Sequence, residues 1–266
     1  MTGAAAPESA AREAHVELRD VRVSFGSRAV IQGLSCSFPR GRVSVLMGGS
    51  GTGKSTLLRV VAGLLTPQSG SVRVAGDEIV GLRERELASV RTRLGMLFQN
   101  GALLDSLSVF DNVALPLRER TRRSEAEIRD LVHEHLTAVG LDEVDDLLPR
   151  ELSGGMLKRA ALARAIVLDP EILLCDEPFS GLDPVNVLRI EALLTRLSDD
   201  LGLTVIMTSH HVPSSRRMAD QITVLFPDSA VTGSPRELAA SSDERVAPFL
   251  GVRGEAGGEG PLVELG

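Results

Sequence analysis

Val43-Ser44-Val45-Leu46-Met47-Gly48-Gly49-Ser50-Gly51-Thr52-Gly53-Lys54-Ser55-Thr56 runs from an apolar pentapeptide through a glycine-rich loop into an apolar-rich segment. Residues 48–55 match G-x-x-x-x-G-K-[ST] at every fixed position. Val43 to Met47 reads as a buried strand, and Thr56 to Leu65 as a helix. The four glycines Gly48, Gly49, Gly51 and Gly53 let the backbone fold around an anion with its N–H groups pointing inward. The helix N-terminus adds a partial positive charge of roughly half a unit. Lys54 is placed to reach the β/γ-phosphates of a nucleotide, and Ser55 to ligate Mg²⁺.

Around this stretch lie 266 residues, enough for one large α/β domain or two small ones. With 43% hydrophobic and 24% charged residues, the chain can bury a sizeable core. A net charge of −7 argues against a broad nucleic-acid-binding surface. Cys36 and Cys175 each sit inside an apolar segment with no disulfide or metal spacing, which predicts a reducing compartment. There is no run of 18 apolar residues and no basic-then-apolar N-terminus, so neither a membrane span nor a signal peptide is expected. Membrane association would then go through a partner.

Residues 1–14 show no period that buries anything and read as a flexible tail. Val16 to Arg19 and Val21 to Phe25 alternate apolar and polar, the period of half-buried strands. Gly26-Ser27 is a turn, Val30 to Phe38 a further strand, and Pro39-Arg40-Gly41 turns the chain into the phosphate-loop strand. Thr66 to Gly70 stops the first helix, and Ser71 to Gly76 is another exposed strand ending in a turn. A small antiparallel sheet beside a nucleotide core is the expected arrangement. After the short strand Leu94 to Phe98 the patterns turn helical over about 100–168. There Ser124 and Glu127 form a capping box, Ile128, Leu131, Val132, Leu136 and Val139 follow at helical spacing, and Gly140 ends the helix. Continuous apolar strands return at Ile172 to Cys175, Thr204 to Thr208 and Ile222 to Phe226, separated by a helix over roughly 185–200. This alternation implies a parallel sheet covered on both faces. Residues from about 251 are Gly- and Glu-rich and read as a second flexible tail.

Ile172-Leu173-Leu174-Cys175-Asp176-Glu177 delivers two carboxylates at a strand end. Strand alternation sends them to different sides. Asp176 then suits Mg²⁺, through water, and Glu177 suits polarising an attacking water. Leu152-Ser153-Gly154-Gly155-Met156 precedes the helix Leu157 to Ile166. Ser153, two glycines and a helix N-terminus make a second anion site, suited to a γ-phosphate held by another subunit.

Phosphate loop, Gln99, Leu-Ser-Gly-Gly, Asp-Glu and a following His, in that order, resemble an ATP-binding-cassette (ABC) ATPase over about residues 16–250. The resemblance implies an α/β P-loop NTPase (RecA-like) core with a parallel sheet, a small antiparallel β subdomain and an inserted helical subdomain. It places one ABC ATPase domain at 15–250, between tails at 1–14 and 251–266. It also implies a head-to-tail homodimer sandwiching two ATP molecules with Mg²⁺. Each ATP is held between one chain's residues 48–56 and the other's Ser153, Gly154 and Gly155. By the same resemblance Gln99 contacts Mg²⁺ and water, Asp183 lies in the loop that crosses the dimer interface, and His210 is the switch histidine at the γ-phosphate. His211 stands where the family often has Asp; the register after Ser209 favours His210. Phe25 matches the aromatic that stacks on adenine, and read on its own it is equally a core residue.

Met156 stands where the family commonly has Gln. With Lys158-Arg159-Ala160, the stretch Leu97 to Glu119 and Val246 to Gly251, it resembles the subgroup that energises Mce and Mla lipid transporters, closest in style to its actinobacterial members. Those members carry a longer C-terminal extension. On this resemblance the chain works at the cytoplasmic face of the plasma membrane, with an integral permease, MCE lipid-binding proteins, an optional small regulatory subunit and no nucleic acid. Residues after Gln99 would dock on the permease; without the resemblance they read as core helix. The rivals are an ABC ATPase of another importer or a cell-division complex, a soluble non-transport ABC ATPase, and a catalytically silent cassette.

Overall fold

In the computed structural model, which describes residues 13–226 and 228–250, the alternating N-terminal segments pair as expected. β1 (Ala14–Phe25) and β2 (Arg28–Pro39) form a hairpin about Gly26-Ser27. The two runs read from the sequence are one strand, bent where Asp20 takes a positive φ of 49° and the register shifts between Leu18 and Val21. Ala14 already pairs with Pro39, so the tail expected over 1–14 loses its last residue to β1. Residues 1–12 and the tail expected at 251–266 lie outside the described residues.

β3 (Val43–Gly48) leads through the glycine loop into α1 (Lys54–Val61), which starts two residues earlier and ends sooner than its apolar pattern suggests. β4 (Ser69–Val74), β5 (Asp77–Glu78), α2 (Glu84–Arg91) and β6 (Leu94–Leu97) follow. α2 buries only Val90, so there was no apolar period by which to read it. Next come α3 (Val109–Arg120), α4 (Glu125–Ala138), α5 (Gly154–Ile166), β7 (Ile172–Asp176), α6 (Pro184–Leu201) and β8 (Thr204–Thr208). The described chain closes with α7 (Val212–Met218), β9 (Gln221–Leu225), β10 (Ala230–Gly233), α8 (Pro235–Ala239) and α9 (Ala247–Leu250).

The strands form two sheets, β2-β1-β4-β5, which is antiparallel, and β10-β9-β3-β8-β7-β6. The second is the expected parallel sheet, with β10 added as an antiparallel edge strand that the sequence did not reveal. The phosphate-loop strand β3 lies between β9 and β8, so its C-terminal end opens among the ends of its neighbours. Alternation explains why the central strands are apolar throughout. Val45, Met47, Leu173, Cys175, Val205 and Met207 point into a core shared with α3 to α6. Leu46, Ile172, Leu174 and Ile206 point into a second core shared with α1 and the antiparallel sheet.

α3, α4 and α5 pack on one another. α5 also packs on the sheet, because a Cβ on Gly95 of β6 would stand 2.3 Å from the Ala165 carbonyl oxygen. The segment read as an inserted subdomain over 100–168 therefore ends in a helix that belongs equally to the α/β core. α4 begins at the anticipated capping box: Ser124 N–H donates to Glu127 Oε2 at 2.7 Å, and Glu127 N–H donates to Ser124 Oγ at 3.4 Å. Replacing Ser124 by Ala is expected to cost about 1 kcal/mol of stability. Urea unfolding would show it as a lower midpoint at unchanged slope.

Candidate active site

The loop of residues 48–53 needs glycine at specific places. Gly48 has φ 146°, and a Cβ there would meet the Leu225 carbonyl oxygen at 2.6 Å. Gly53 caps α1 in the left-handed region at φ 95° and lies against Val30 and Ile31. Gly49 has no positive φ, and a Cβ there would make only an ordinary contact with Thr52 Cγ2 at 3.7 Å, so it is not among the glycines the backbone requires.

Lys54 is buried and folds back over the loop, its Nζ donating to Gly48 O and Gly49 O at 3.0 Å each. An ammonium has three donors, so one remains for an anion in the loop. Burial lowers the Lys54 pKa, while the charges of Glu177 and Asp176 act to raise it.

Ser55 Oγ donates to Asp176 Oδ1 at 2.9 Å, joining the start of α1 to the end of β7. The same oxygen accepts from Thr208 Oγ1 at 2.8 Å, because the β7–β8 register sets Asp176 opposite Thr208. Thr208 Oγ1 in turn accepts from Glu177 N–H at 2.9 Å. Glu177 has left β7 and sits at φ 49°, a left-handed conformation costing a non-glycine residue about 1–2 kcal/mol. The divergence of the two carboxylates thus comes from this turn as well as from the strand pleat that predicted it. Among the described residues no three His, Cys, Asp or Glu side chains cluster as a metal site. A cation beside Ser55 and Asp176 would complete its shell from phosphate oxygens and water, which is how Mg²⁺ is usually held.

A cavity of about 770 Å³ opens above the loop, lined by Phe25, Ser50, Gly51, Gly53, Lys54, Ser55, Thr56, Gln99, Glu177 and His210 among others. His210 Nε2 lies 3.2 Å from Glu177 Oε1, and His210 N–H donates to Glu177 Oε2 at 3.3 Å. His211 also lines the cavity but caps α7, its Nδ1 accepting from Ser214 N–H at 3.3 Å. Gln99 Nε2 donates to Ser180 Oγ at 3.4 Å at the cavity's edge. Phe25 is 52% exposed at the cavity mouth, which removes the core reading of this residue.

Ser153, Gly154, Gly155 and Asp183 do not line this cavity. They form a second group. Ser153 caps α5, accepting from Met156 N–H at 3.3 Å. Asp183 caps α6, accepting from Val185 N–H at 2.9 Å and Asn186 N–H at 3.0 Å. Hydrogen bonds from Asn186 hold the Asp183 carboxyl below its ordinary range. A Cβ on Gly155 would stand 2.4 Å from Asn186 Oδ1, so any larger residue there would displace the Asn186 side chain and loosen the contact between the two helix starts.

Several residues of the site were not found from the sequence, Thr208, Arg28 and Lys158 among them. Thr208 is linked to Asp176 by strand register alone. Arg28 lines the cavity from the first position of β2. Lys158 of α5 donates to the main-chain oxygens of Gln99 and Glu177. The segment 100–108 is a loop, so the core-helix reading of it fails before Val109. Asn112 pins it by donating to Leu104 O, Leu107 O and Ser108 O, and Arg164 donates to Gly101 O and Ala102 O. Leu104 on this loop is 46% exposed.

A glycine loop at the end of a central parallel strand, backed by a Ser–Asp contact and faced by a second carboxylate, defines a P-loop nucleotide-binding protein. The family model for ABC transporters matches residues 31–180, and the chain belongs to that family. It is 45% identical over 239 residues to the probable ribonucleotide transport ATP-binding protein mkl of Mycobacterium leprae, covering 90% of this chain and 69% of the relative. It is 43% identical over 244 residues to the intermembrane phospholipid transport system ATP-binding protein MlaF of Haemophilus influenzae, covering 91% and 92%. Among solved structures it resembles the ATP-binding cassette MJ0796, a dimer in a post-hydrolysis state with ADP and Pi. The TM-score is 0.76 at 30% identity, over 82% of this chain and 98% of that one.

Proposed function

We propose that this chain is the ATP-binding and ATP-hydrolysing subunit of an ABC transporter that moves lipid across the cell envelope. The observation that carries the ATPase reading is the division of its parts. The phosphate loop, Glu177 and His210 share one cavity, while Ser153, Gly154, Gly155 and Asp183 stand outside it at two interlocked helix starts. A second copy, related head to tail, would bring its Ser153–Gly155 over the phosphates held by residues 48–56. The dimeric form of MJ0796 supports the pairing of two copies.

In that dimer Lys54 and the loop N–H groups bind the β- and γ-phosphates, and Phe25 stacks on adenine. Ser55, Asp176 and Gln99 would hold Mg²⁺, which when bound neutralises developing phosphate charge. Glu177 accepts the proton of the attacking water, and His210 orients Glu177 and the γ-phosphate. Closing and reopening of the dimer would drive an integral permease at the cytoplasmic face of the plasma membrane. The exposed Leu104 loop suits docking on such a permease. Among the described residues no helix is long and apolar enough to cross a membrane.

Lipid as cargo is favoured by the similarity to MlaF, which runs nearly the full length of that relative. The name of the mycobacterial relative supplies the second reading, ribonucleotide transport. A membrane pull-down separates them. Tagged Glu177→Gln chain, expressed in its host and solubilised in mild detergent, is expected to bring down an integral permease with MCE lipid-binding proteins, and with any small regulatory subunit. A permease without them would discard lipid as cargo and leave the ATPase reading standing. A soluble complex with no membrane protein would discard transport.

A further inference from the structure

Lys158 is 4% exposed, yet it carries an ammonium group that belongs in water unless it is paired. Its hydrogen-bond partners are two main-chain carbonyls from different strand ends. Lys158 Nζ donates to Gln99 O, just beyond β6, and to Glu177 O at 3.3 Å, just beyond β7. Glu177 sits in a left-handed conformation, so its peptide needs holding from both sides. Thr208 Oγ1 takes its N–H, while Lys158 and Ser180 N–H share its carbonyl.

The same helix starts at the other group of functional residues. Gly154 precedes Lys158 by four residues, which in a helix is about 6 Å of rise. Gly155 interlocks with Asn186, whose side chain donates to Asp183. One turn of α5 therefore spans from the outward face, which meets a partner's nucleotide, to the backbone of Gln99 and Glu177 in the chain's own cavity. Because both acceptors are main-chain atoms, a shift of α5 moves the peptides that carry the Gln99 amide and the Glu177 carboxylate.

We propose that Lys158 is a positioning residue that couples the two nucleotide sites, an inference that rests on the two-copy reading above. Docking of one copy's γ-phosphate on Ser153–Gly155 of the other sets, through α5 and Lys158, the places of Gln99 and Glu177 in that other copy's cavity. Each site then becomes competent when its neighbour is filled, and hydrolysis is cooperative in ATP.

The test uses the full-length chain and its Lys158→Met variant, with phosphate release measured against ATP concentration. The variant is expected to lose about 10- to 100-fold in kcat, the scale of a misplaced catalytic group. ATP affinity of the resting chain should stay within about threefold, and the Hill coefficient should fall from above 1 towards 1. A merely structural lysine would lower the melting temperature and leave kcat and the Hill coefficient alone. Should Met not be tolerated, Lys158→Gln, which keeps a donor for one carbonyl, carries the same expectation. A chain that folds with neither assigns Lys158 to folding and overturns the proposal, as does a wild-type Hill coefficient of 1. Failure of Glu177→Gln to dimerise with ATP on a sizing column would overturn the two-copy reading and this inference together. A dimer there, with wild-type kcat and Hill coefficient in Lys158→Met, would overturn this inference alone.

Discussion

Glu177→Gln is expected to slow steady-state ATP turnover by about 10²- to 10⁴-fold, the usual share of a general base, while ATP still binds. The carboxylate is 17% exposed, opens on the cavity and lies 3.2 Å from His210 Nε2. Glutamine keeps the shape and can still accept from His210 N–H, but its neutral amide cannot take a proton from water. The backbone tethers from Thr208 and Lys158 do not involve the side chain, so the turn at 177 should persist. The loop that binds the phosphates is likewise untouched, and the variant should accumulate as an ATP-bound dimer. Phosphate release and sizing chromatography with ATP read both halves of the expectation. Turnover at the wild-type rate would remove Glu177 from the role of base.

Lys54→Ala is expected to weaken ATP binding by about 30- to 5,000-fold, the loss of roughly 2–5 kcal/mol when a buried charged partner is truncated. Two effects act in the same direction. The phosphates lose a cation held at the loop, and Gly48 O and Gly49 O lose the donor that closes the loop over them. Calorimetric titration with ATP measures the loss, and thermal melting checks that the fold survives, since Lys54 lies at the end of α1 rather than inside a core. Affinity equal to that of the unmodified chain would sink the phosphate-loop assignment.

Much of the site was legible because its residues are neighbours in the chain. Residues 48–55 carry loop, lysine and hydroxyl in one octapeptide. Asp176-Glu177, Ser153-Gly154-Gly155 and Ser209-His210 are equally local. Period-2 alternation marked β1, and unbroken apolar runs marked β3, β7, β8 and β9. α2 escaped because a helix that buries one residue has no stripe, and β10 because a four-residue edge strand leaves little pattern.

What the chain order alone determined was therefore local: a strand-loop-helix anion cradle, a capped α4, a strand-end carboxylate pair and a serine–glycine helix start. What only the tertiary structure decided is how these meet. Register between β7 and β8 set Thr208 beside Asp176, residues 32 apart in the chain. The left-handed turn at Glu177 aimed its carboxylate at His210 and left His211 to cap a helix. Packing of α5 on the sheet buried Lys158 against two carbonyls, and the fold set Ser153 and Asp183 at neighbouring helix starts outside the cavity that holds Lys54. Hydrogen bonds between distant segments leave no period or motif behind them, because each partner is an ordinary residue until the fold brings the other within reach.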